Sequence, residues 1–308
     1  MHGSGSHKYI QGKGVTLWAR CDGDPGQPCI ILIAGANASH LMWPDEFCAL
    51  LVSEGFFVIR YDHRDTGKSS KFDFVSRSYT LADLSDDIIA VLDGFGVRRA
   101  HVVGLSMGGS LTQAVLLSHP ERFLSATIML TAALDVDFPG NISRVYTGEP
   151  EPHGLPLPQR EVLEQLSKRN TPAESEEEEL ERRVCEWMAL SGSLAALNPD
   201  EFRTWEARAM AHGGTFRQPV NHALAQPIPL EQGAKLSQVH VPTLVIQGGQ
   251  DPLNPPPHGL HLAELIPSAR LLEIPELGHS LPSSLHPKIV EAIVGHAHRS
   301  ASAPPFGA

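Results

Sequence analysis

The stretch that decides the fold is AHVVGLSMGGS, at residues 100–110. Its first six residues are mostly apolar, which is typical of a strand buried on both faces of a sheet, and a helical pattern then continues to Ser118. Ser106 thus lies in a Gly-x-Ser-x-Gly turn between a strand and a helix. Gly104 and Gly108 let such a sharp turn close, and the turn lifts the serine hydroxyl clear of the sheet. We therefore predict that Ser106 is a nucleophile.

The same strand–helix alternation extends in both directions from this turn. Short apolar runs predict strands at residues 15–20, 29–33, 56–61, 100–105, 123–130, 243–247 and 269–274. Helical patterns separate most of these strands. This alternation indicates an α/β fold with a mostly parallel, doubly wound sheet.

The alternation stops between residues 135 and 236, where helical patterns replace the strand signals. One predicted helix begins at Thr171 as its N-cap, with Pro172 at the first helical position. The acidic run at residues 176–179 is interpreted as a solvent-facing side of this helix. We predict a first core part, a helical cap, a second core part and a disordered tail, at residues 1–134, 135–236, 237–299 and 300–308.

A serine nucleophile needs a base, and the base needs an acid that orients it. Where the serine lies on a strand–turn–helix elbow, the acid and the histidine follow it along the chain, on loops after later strands. Asp251 follows the strand predicted at residues 243–247, and His279 follows the strand predicted at residues 269–274. We predict that Ser106, Asp251 and His279 form a catalytic triad.

Attack by a serine on a carbonyl group creates an oxyanion, which backbone N–H groups can stabilise. One donor is expected directly after the nucleophile, at Met107. The other is expected from the loop after the strand at residues 29–33, where counting along the loop favours Ala36. We therefore predict that the N–H groups of Ala36 and Met107 form an oxyanion hole.

Charge and composition argue against several classes of partner. The formal net charge of the 308 residues is −11, which disfavours binding to nucleic acids or to anionic membranes. No apolar run approaches the ~20 residues of a membrane span, and no secretory signal is visible. The four cysteines lack the spacing of a disulfide framework, which favours free thiols in a reducing compartment. We expect a cytoplasmic protein and leave its oligomeric state open.

Two further patterns resemble ligand sites but lack a required residue. His258 and His261 have the i, i+3 spacing of metal ligands, yet no third ligand is spaced to complete a site. The run at residues 66–69 matches the end of a phosphate-binding loop, but the glycine required five residues before Gly67 is Asp62. We interpret residues 61–67 as a structural turn after the preceding strand. Neither a metal nor any other cofactor is predicted.

In the order of these elements, the chain resembles the α/β-hydrolase superfamily over nearly its whole length. Within that superfamily it is similar to aclacinomycin methylesterase and related macrolide (lactone) esterases, in the strings at residues 36–39, 43–47, 59–67, 101–108 and 278–284. The resemblance implies an α/β-hydrolase fold with a helical cap inserted after the sixth strand. It also implies a triad at Ser106, Asp251 and His279, with oxyanion donors at Ala36 and Met107.

The resemblance further implies a serine carboxylic-ester hydrolase that forms an acyl-enzyme with a bulky, apolar polyketide-type ester. Macrolide lactone opening and cleavage of an anthracycline-type methyl ester stay open, as do a biosynthetic and an antibiotic-inactivating role. The alternatives are a cofactor-free perhydrolase (haloperoxidase-type) and a non-catalytic receptor for a small ligand. We expect substrate contacts from four residues of the oxyanion loop and the cap, namely Asn37, Trp187, Phe202 and Trp205.

Overall fold

The computed structural model describes residues 5–267 and 269–301, and its strands form one sheet. The strands are β1 Ser6–Gly12, β2 Val15–Asp22, β3 Cys29–Ile33, β4 Phe57–Tyr61, β5 Ala100–Leu105, β6 Phe123–Met129, β7 Thr243–Gly248 and β8 Ala269–Ile274. Their order across the sheet is β1-β2-β4-β3-β5-β6-β7-β8. The pairs β1–β2 and β2–β4 are antiparallel, and the pairs from β4 to β8 are parallel.

Helices cover both faces of this sheet. They are α1 Asp45–Ser53, α2 Leu81–Gly94, α3 Met107–Ser118, α4 Phe138–Thr147, α5 Arg160–Ser167, α6 Glu176–Leu190, α7 Pro199–Gly213, α8 His258–Leu265 and α9 His286–Ala301. The buried side chains of α1 and α9 share one hydrophobic cluster, and those of α2, α3 and α8 share the cluster on the opposite face. These layers confirm the predicted doubly wound α/β fold.

The middle of the sheet determines where a site can form. β3 pairs with β4 on one side and with β5 on the other, so the chain leaves these neighbouring strands in different directions. At such a switch point the loops at the carboxyl ends of the strands diverge and open a crevice. The loops after β3 and β5 carry Ala36 and Ser106, and the loops after β7 and β8 at the same edge carry Asp251 and His279.

The sequence analysis misses one strand and misplaces the start of the tail. It does not predict β1, because this edge strand is mostly polar and only Ile10 is buried. It assigns residues 300–308 to a disordered tail, whereas Ser300 and Ala301 belong to α9. The Ser300 hydroxyl donates to the His296 carbonyl at 2.9 Å, within the last turn of this helix. Residues 302–308 of the predicted tail lie outside the described residues.

Four helices, α4 to α7, lie between β6 and β7 in the range predicted for the cap, and the described residues there contain no strand. The predicted helix start at Thr171 is wrong. Helix α6 begins four residues later, because Ser175 is its N-cap and its hydroxyl accepts from the Glu178 N–H at 3.2 Å. The acidic run is only partly solvent-facing, since the Glu179 carboxylate is buried and accepts from Arg183 at 2.7 Å.

The cysteines and the helix lengths bear on the other expectations. All four cysteines are free, as predicted; three are buried and Cys185 is exposed. Among the helices of residues 5–267 and 269–301, none has both the length and the apolar character needed to cross a membrane.

Candidate active site

Ser106 occupies the sharp turn between β5 and α3. Its backbone has φ 58° and ψ −123°, a conformation that is strained for a residue with a side chain. The turn leaves no room for a side chain at the flanking glycines. A Cβ on Gly104 would lie 2.1 Å from the Gly108 carbonyl oxygen, and a Cβ on Gly108 would lie 2.3 Å from the Ile33 carbonyl oxygen. The turn therefore exists only because both positions lack a side chain.

The structure brings Asp251 and His279 together with Ser106. Nε2 of His279 lies 2.9 Å from Ser106 Oγ, and Nδ1 lies 2.9 and 3.0 Å from the two carboxylate oxygens of Asp251. Asp251 is itself buried and accepts from the backbone N–H groups of Leu253 and Asn254, each at 2.9 Å. The carboxylate is thus held in place, so that His279 donates from Nδ1 and presents Nε2 as an acceptor to the serine hydroxyl.

The predicted oxyanion donors lie beside this serine. Gly35, in the loop after β3, approaches it so closely that an added Cβ would lie 3.5 Å from Ser106 Cβ. The next residue in this loop is Ala36, and Met107 begins α3. Among the described residues, the N–H groups of Ala36 and Met107 have no hydrogen-bond acceptor. Two backbone donors are therefore available near the serine hydroxyl.

Two buried histidines hold the oxyanion loop, a role that the sequence analysis does not assign to them. Nδ1 of His222 accepts from the Asn37 N–H at 2.8 Å, and Nε2 donates to the Arg64 carbonyl at 2.8 Å. His63 donates from Nε2 to the Ala34 carbonyl at 3.0 Å. Burial lowers the pKa of His222 to about 4 and the pKa of His63 to about 3, so both rings are neutral near pH 7. Their partners are backbone groups of distant segments, which leave no local sequence signal.

The cap reaches the site through the loop that carries His279. The N–H of His279 donates to the carbonyl of Leu190, the last residue of α6, at 2.7 Å. The hydroxyl oxygens of Ser191 and Ser280 lie 2.6 Å apart. A Cβ on Gly278 would lie 2.3 Å from the Ser191 carbonyl carbon. The end of α6 therefore packs directly on the backbone that positions the histidine.

A cavity of about 500 Å³ has Ser106 in its wall. Of the predicted substrate contacts, Asn37, Trp187 and Trp205 line this cavity. Phe202 does not: it is fully buried, and its ring centroid lies 6.1 Å from that of Trp187 and 5.3 Å from that of Trp205. Helix α7 directs the Phe202 side chain into the interior of the cap, where it supports the two tryptophans from behind.

Comparison with known proteins identifies the family. The sequence pattern of the alpha/beta hydrolase fold matches residues 28–283. The chain belongs to the α/β-hydrolase family. It is 47% identical over 289 residues to the rhodomycin D methylesterase DnrP of Streptomyces peucetius. The aligned residues cover 94% of this chain and 97% of DnrP. It is 46% identical over 282 residues to the rhodomycin D methylesterase DauP of Streptomyces sp. strain C5. This alignment covers 92% of this chain and 95% of DauP.

Solved structures agree on the fold. The esterase EaEST from Exiguobacterium antarcticum superposes with a TM-score of 0.74 at 19% identity, over 95% of this chain and 100% of that one. Family membership together with two methylesterase relatives of nearly full coverage makes this α/β-hydrolase a carboxylic ester hydrolase.

The cavity of this α/β-hydrolase has a polar corner, formed by Arg169, Glu186 and Gln218, where the sequence analysis expects apolar surroundings. Nη2 of Arg169 lies 2.8 Å from Glu186 Oε2, and the Gln218 amide nitrogen lies 3.5 Å from the same oxygen. Glu186 Oε1, Gln218 Oε1 and Arg169 Nε are buried without a partner among the described residues. Burial raises the pKa of Glu186. These three atoms are enclosed, so a ligand in the cavity meets the corner through the other parts of the three side chains that line it.

After β4 ends at Tyr61, the predicted structural turn follows, and Asp62 closes it. The Asp62 carboxylate accepts from the Lys68 N–H at 2.8 Å, and a Cβ on Gly67 would lie 2.0 Å from the same carboxylate. Asp62 also lies 2.7 Å from Nε2 of His212, in α7. This turn thus connects the sheet to the cap, and its glycine makes room for the Asp62 side chain.

Proposed function

We propose that this hydrolase cleaves the methyl ester of a polycyclic polyketide of the anthracycline type, with Ser106 as nucleophile, His279 as base and Asp251 as orienting acid. The observation that carries the proposal is the series of contacts from Asp251 through His279 to Ser106, at 2.9 Å for each step. The substrate class rests on the relatives, both of which are named as rhodomycin D methylesterases.

In the proposed acylation, Ser106 Oγ attacks the ester carbonyl carbon while His279 Nε2 accepts the hydroxyl proton. Asp251 stabilises the imidazolium that forms. The oxyanion accepts hydrogen bonds from the N–H groups of Ala36 and Met107, each of which contributes about 3 kcal/mol of transition-state stabilisation. When the tetrahedral intermediate collapses, His279 returns the proton to the methoxy oxygen. Methanol leaves, and the acyl group remains on Ser106.

Deacylation repeats these steps with water. His279 takes a proton from a water molecule whose oxygen attacks the acyl carbon, and the same two N–H groups bind the second oxyanion. The proton then passes from His279 to Ser106 Oγ as the acid leaves. One ester and one water give one carboxylic acid and one methanol, and this chain's own residues handle every proton.

The cavity suits a ring system that carries polar substituents. A volume of about 500 Å³ lies within the range of roughly 300–1,000 Å³ for small-molecule sites. Trp187 and Trp205 supply large flat surfaces for stacking against fused rings. The polar corner supplies hydrogen-bonding groups on the same cavity wall. This mixture favours a hydroxylated aromatic polyketide over a purely apolar ester.

The deciding experiment is to incubate the purified protein with rhodomycin D and with a panel of macrolides, and to analyse the products by mass spectrometry. We expect rhodomycin D to lose the mass of one CH₂ unit and to release methanol, and we expect Ser106→Ala to do neither. Addition of one water to a macrolide would point to lactone opening instead. No change on either class would overturn the proposed substrate, and turnover by Ser106→Ala would overturn the proposed nucleophile.

A further inference from the structure

The two histidines of α8 that have metal-ligand spacing diverge in the structure. His258 is buried and donates from Nε2 to the Pro156 carbonyl at 2.9 Å. Nε2 of His261 lies instead 3.0 Å from both carboxylate oxygens of Asp135, which directly follows the first part of the core. Asp135, 126 residues away in the sequence, is therefore a second potential metal ligand beside His261.

A third potential ligand comes from the cap. Nε2 of His153, between α4 and α5, lies 4.0 Å from Asp135 Oδ2, and its ring centroid lies 5.1 Å from that of His261. One ligand atom from each of the three residues lies within 4.8 Å of the other two. In a tetrahedral zinc site with bonds of about 2.0–2.1 Å, neighbouring ligand atoms are roughly 3.3 Å apart. A small adjustment of the His153 side chain would bring all three atoms onto one ion.

The backbone on both sides of this cluster is held independently of any ion. The buried Glu151 carboxylate accepts from the N–H groups of His153 at 2.6 Å and of Leu155 at 3.0 Å, which orders the turn that presents the His153 ring. Gly233 packs so closely that a Cβ on it would lie 2.5 Å from the Asp135 backbone nitrogen. The cluster is therefore built by the fold and is not a chance meeting of mobile side chains.

The donor set selects the class of ion. Two imidazole nitrogens and one carboxylate suit zinc and similar late first-row ions, whereas magnesium and calcium prefer oxygen ligands. The side chains are between 19% and 36% exposed, so an ion can enter from solvent and water can complete the coordination. None of these three described residues lines the cavity that contains Ser106.

We propose that Asp135, His153 and His261 bind a zinc ion that ties the cap turn of His153 to α8 of the core. The ion would join three segments that already meet in the structure. His261 Nε2 lies 3.0 Å from the Asp135 carboxylate, and His153 Nε2 lies 3.2 Å from the Asp135 carbonyl oxygen, a contact that the ion would replace. Its effect would be to stabilise the attachment of the cap to the core, separately from the chemistry at Ser106. Neither the metal nor its effect depends on which ester the enzyme cleaves.

The test is a titration of the tag-free full chain with ZnCl₂, followed by calorimetry and by thermal unfolding. We expect one site per chain and a midpoint of unfolding that rises with zinc. His261→Ala and His153→Ala each remove one ligand. We expect at least about tenfold weaker binding from each, because loss of a residue that merely hydrogen-bonds to a metal ligand already weakens metal binding by about 10–100-fold. Asp135→Asn keeps the shape of the side chain and is the variant least expected to disturb folding.

Two control variants separate this site from other zinc-binding groups. His119→Ala removes a histidine at the end of α3 whose only ring contact given by the structure is with Ser118, and His212→Ala disrupts the other histidine–aspartate cluster, which contains His40 and Asp62. We expect both variants to bind zinc as the wild type does. The proposal is overturned if the wild type does not bind zinc, or if His261→Ala and His153→Ala both bind it unchanged.

Discussion

The carboxyl edge of the sheet and the helical cap border the same cavity, but they hold their side chains by different means. At the sheet edge the backbone does the positioning: Ser106 lies in a strained turn, and two backbone N–H groups hold Asp251. In the cap the side chains hold one another. Arg183 donates to Glu206 at 2.9 Å, and Glu206 also accepts from Nε1 of Trp187 at 2.6 Å.

This difference separates the two tasks of the enzyme. Reacting groups positioned by the backbone have little freedom, and a shift of about 1 Å can cost about a hundredfold in rate. Side chains that hold one another in the cap can be exchanged without moving the sheet. We therefore expect substitutions at the sheet edge to change kcat and substitutions in the cap lining to change KM.

Removal of the nucleophile is expected to have the largest effect. Ser106→Ala deletes the attacking oxygen, so we expect kcat to fall by about 10⁴- to 10⁶-fold, measured as the steady-state rate of ester hydrolysis. The matched control is Ser110→Ala, one turn later in α3, whose hydroxyl oxygen lies 3.2 Å from Thr131 Oγ1. That variant should retain activity near the wild-type level. Substantial turnover by Ser106→Ala would show that a different residue attacks the ester.

The second prediction tests the packing of the cap on the loop that carries the proposed base. A Cβ on Gly278 would lie 2.3 Å from the backbone of Ser191, so Gly278→Ala must separate the end of α6 from the His279 loop. We expect kcat/KM to fall by about a hundredfold, because such a shift moves the base away from Ser106. Gly295→Ala in α9 is the control, since its Cβ would meet only the Arg299 side chain. Equal activity of the two variants would contradict positioning by the cap.

The sheet edge could be predicted from the sequence because its signals are local. Ser106 lies in a strand–turn–helix pattern only a few residues long. Asp251 follows the buried strand β7 within a short loop, and His279 follows β8, of which only Ile274 is buried, within a short loop. The parallel order of the sheet then brings the three loops to one edge. Contacts made between distant segments gave no such signal, which is why His63 and His222 were not distinguished from the other histidines.

The cap could be predicted only as a set of helices. Helix spacing shows which side chains share a face of a helix. It does not show whether that face packs on another helix, lines the cavity or contacts solvent. The sequence analysis therefore predicts Phe202 as a substrate contact, although its side chain packs behind the tryptophans. It also predicts that Glu179 faces solvent, although Glu179 is buried against Arg182 and Arg183. Arg182 and Arg183 are neighbours of Glu179 on the same helix, but a local pattern does not show that the rest of the chain covers this face of the helix.

The third prediction concerns pH and the loop held by the two buried histidines. The pKa is lowered to about 3 for His63 and to about 4 for His222, so below pH 6.5 the unfolded chain binds protons that the folded chain does not. Each histidine should lower the free energy of unfolding by about 1.4 kcal/mol for every pH unit below about 6. Urea unfolding at pH 7, 6 and 5 measures this slope. His222→Gln should reduce this slope by the contribution of one histidine. An unchanged slope would contradict the lowered pKa of His222.

The last prediction tests whether the cap selects the substrate through its polar corner. Glu186→Gln keeps the size of the side chain but removes the charge that pairs with Arg169 at the cavity wall. We expect KM for a hydroxylated aromatic methyl ester to rise about tenfold with kcat nearly unchanged, the pattern of a lost interaction that ground state and transition state share.

The matched control for this variant is Glu177→Gln, on the same helix. Its partner Arg203 lies 3.4 Å away, and the Glu177 side chain is 74% exposed, so this ion pair contributes little. We expect Glu177→Gln to leave both constants unchanged. A fall in kcat with Glu186→Gln, at constant KM, would instead mean that side chains of the cap lining also position the reacting groups. Such a result would contradict the proposal that the sheet edge determines kcat and the cap lining determines KM.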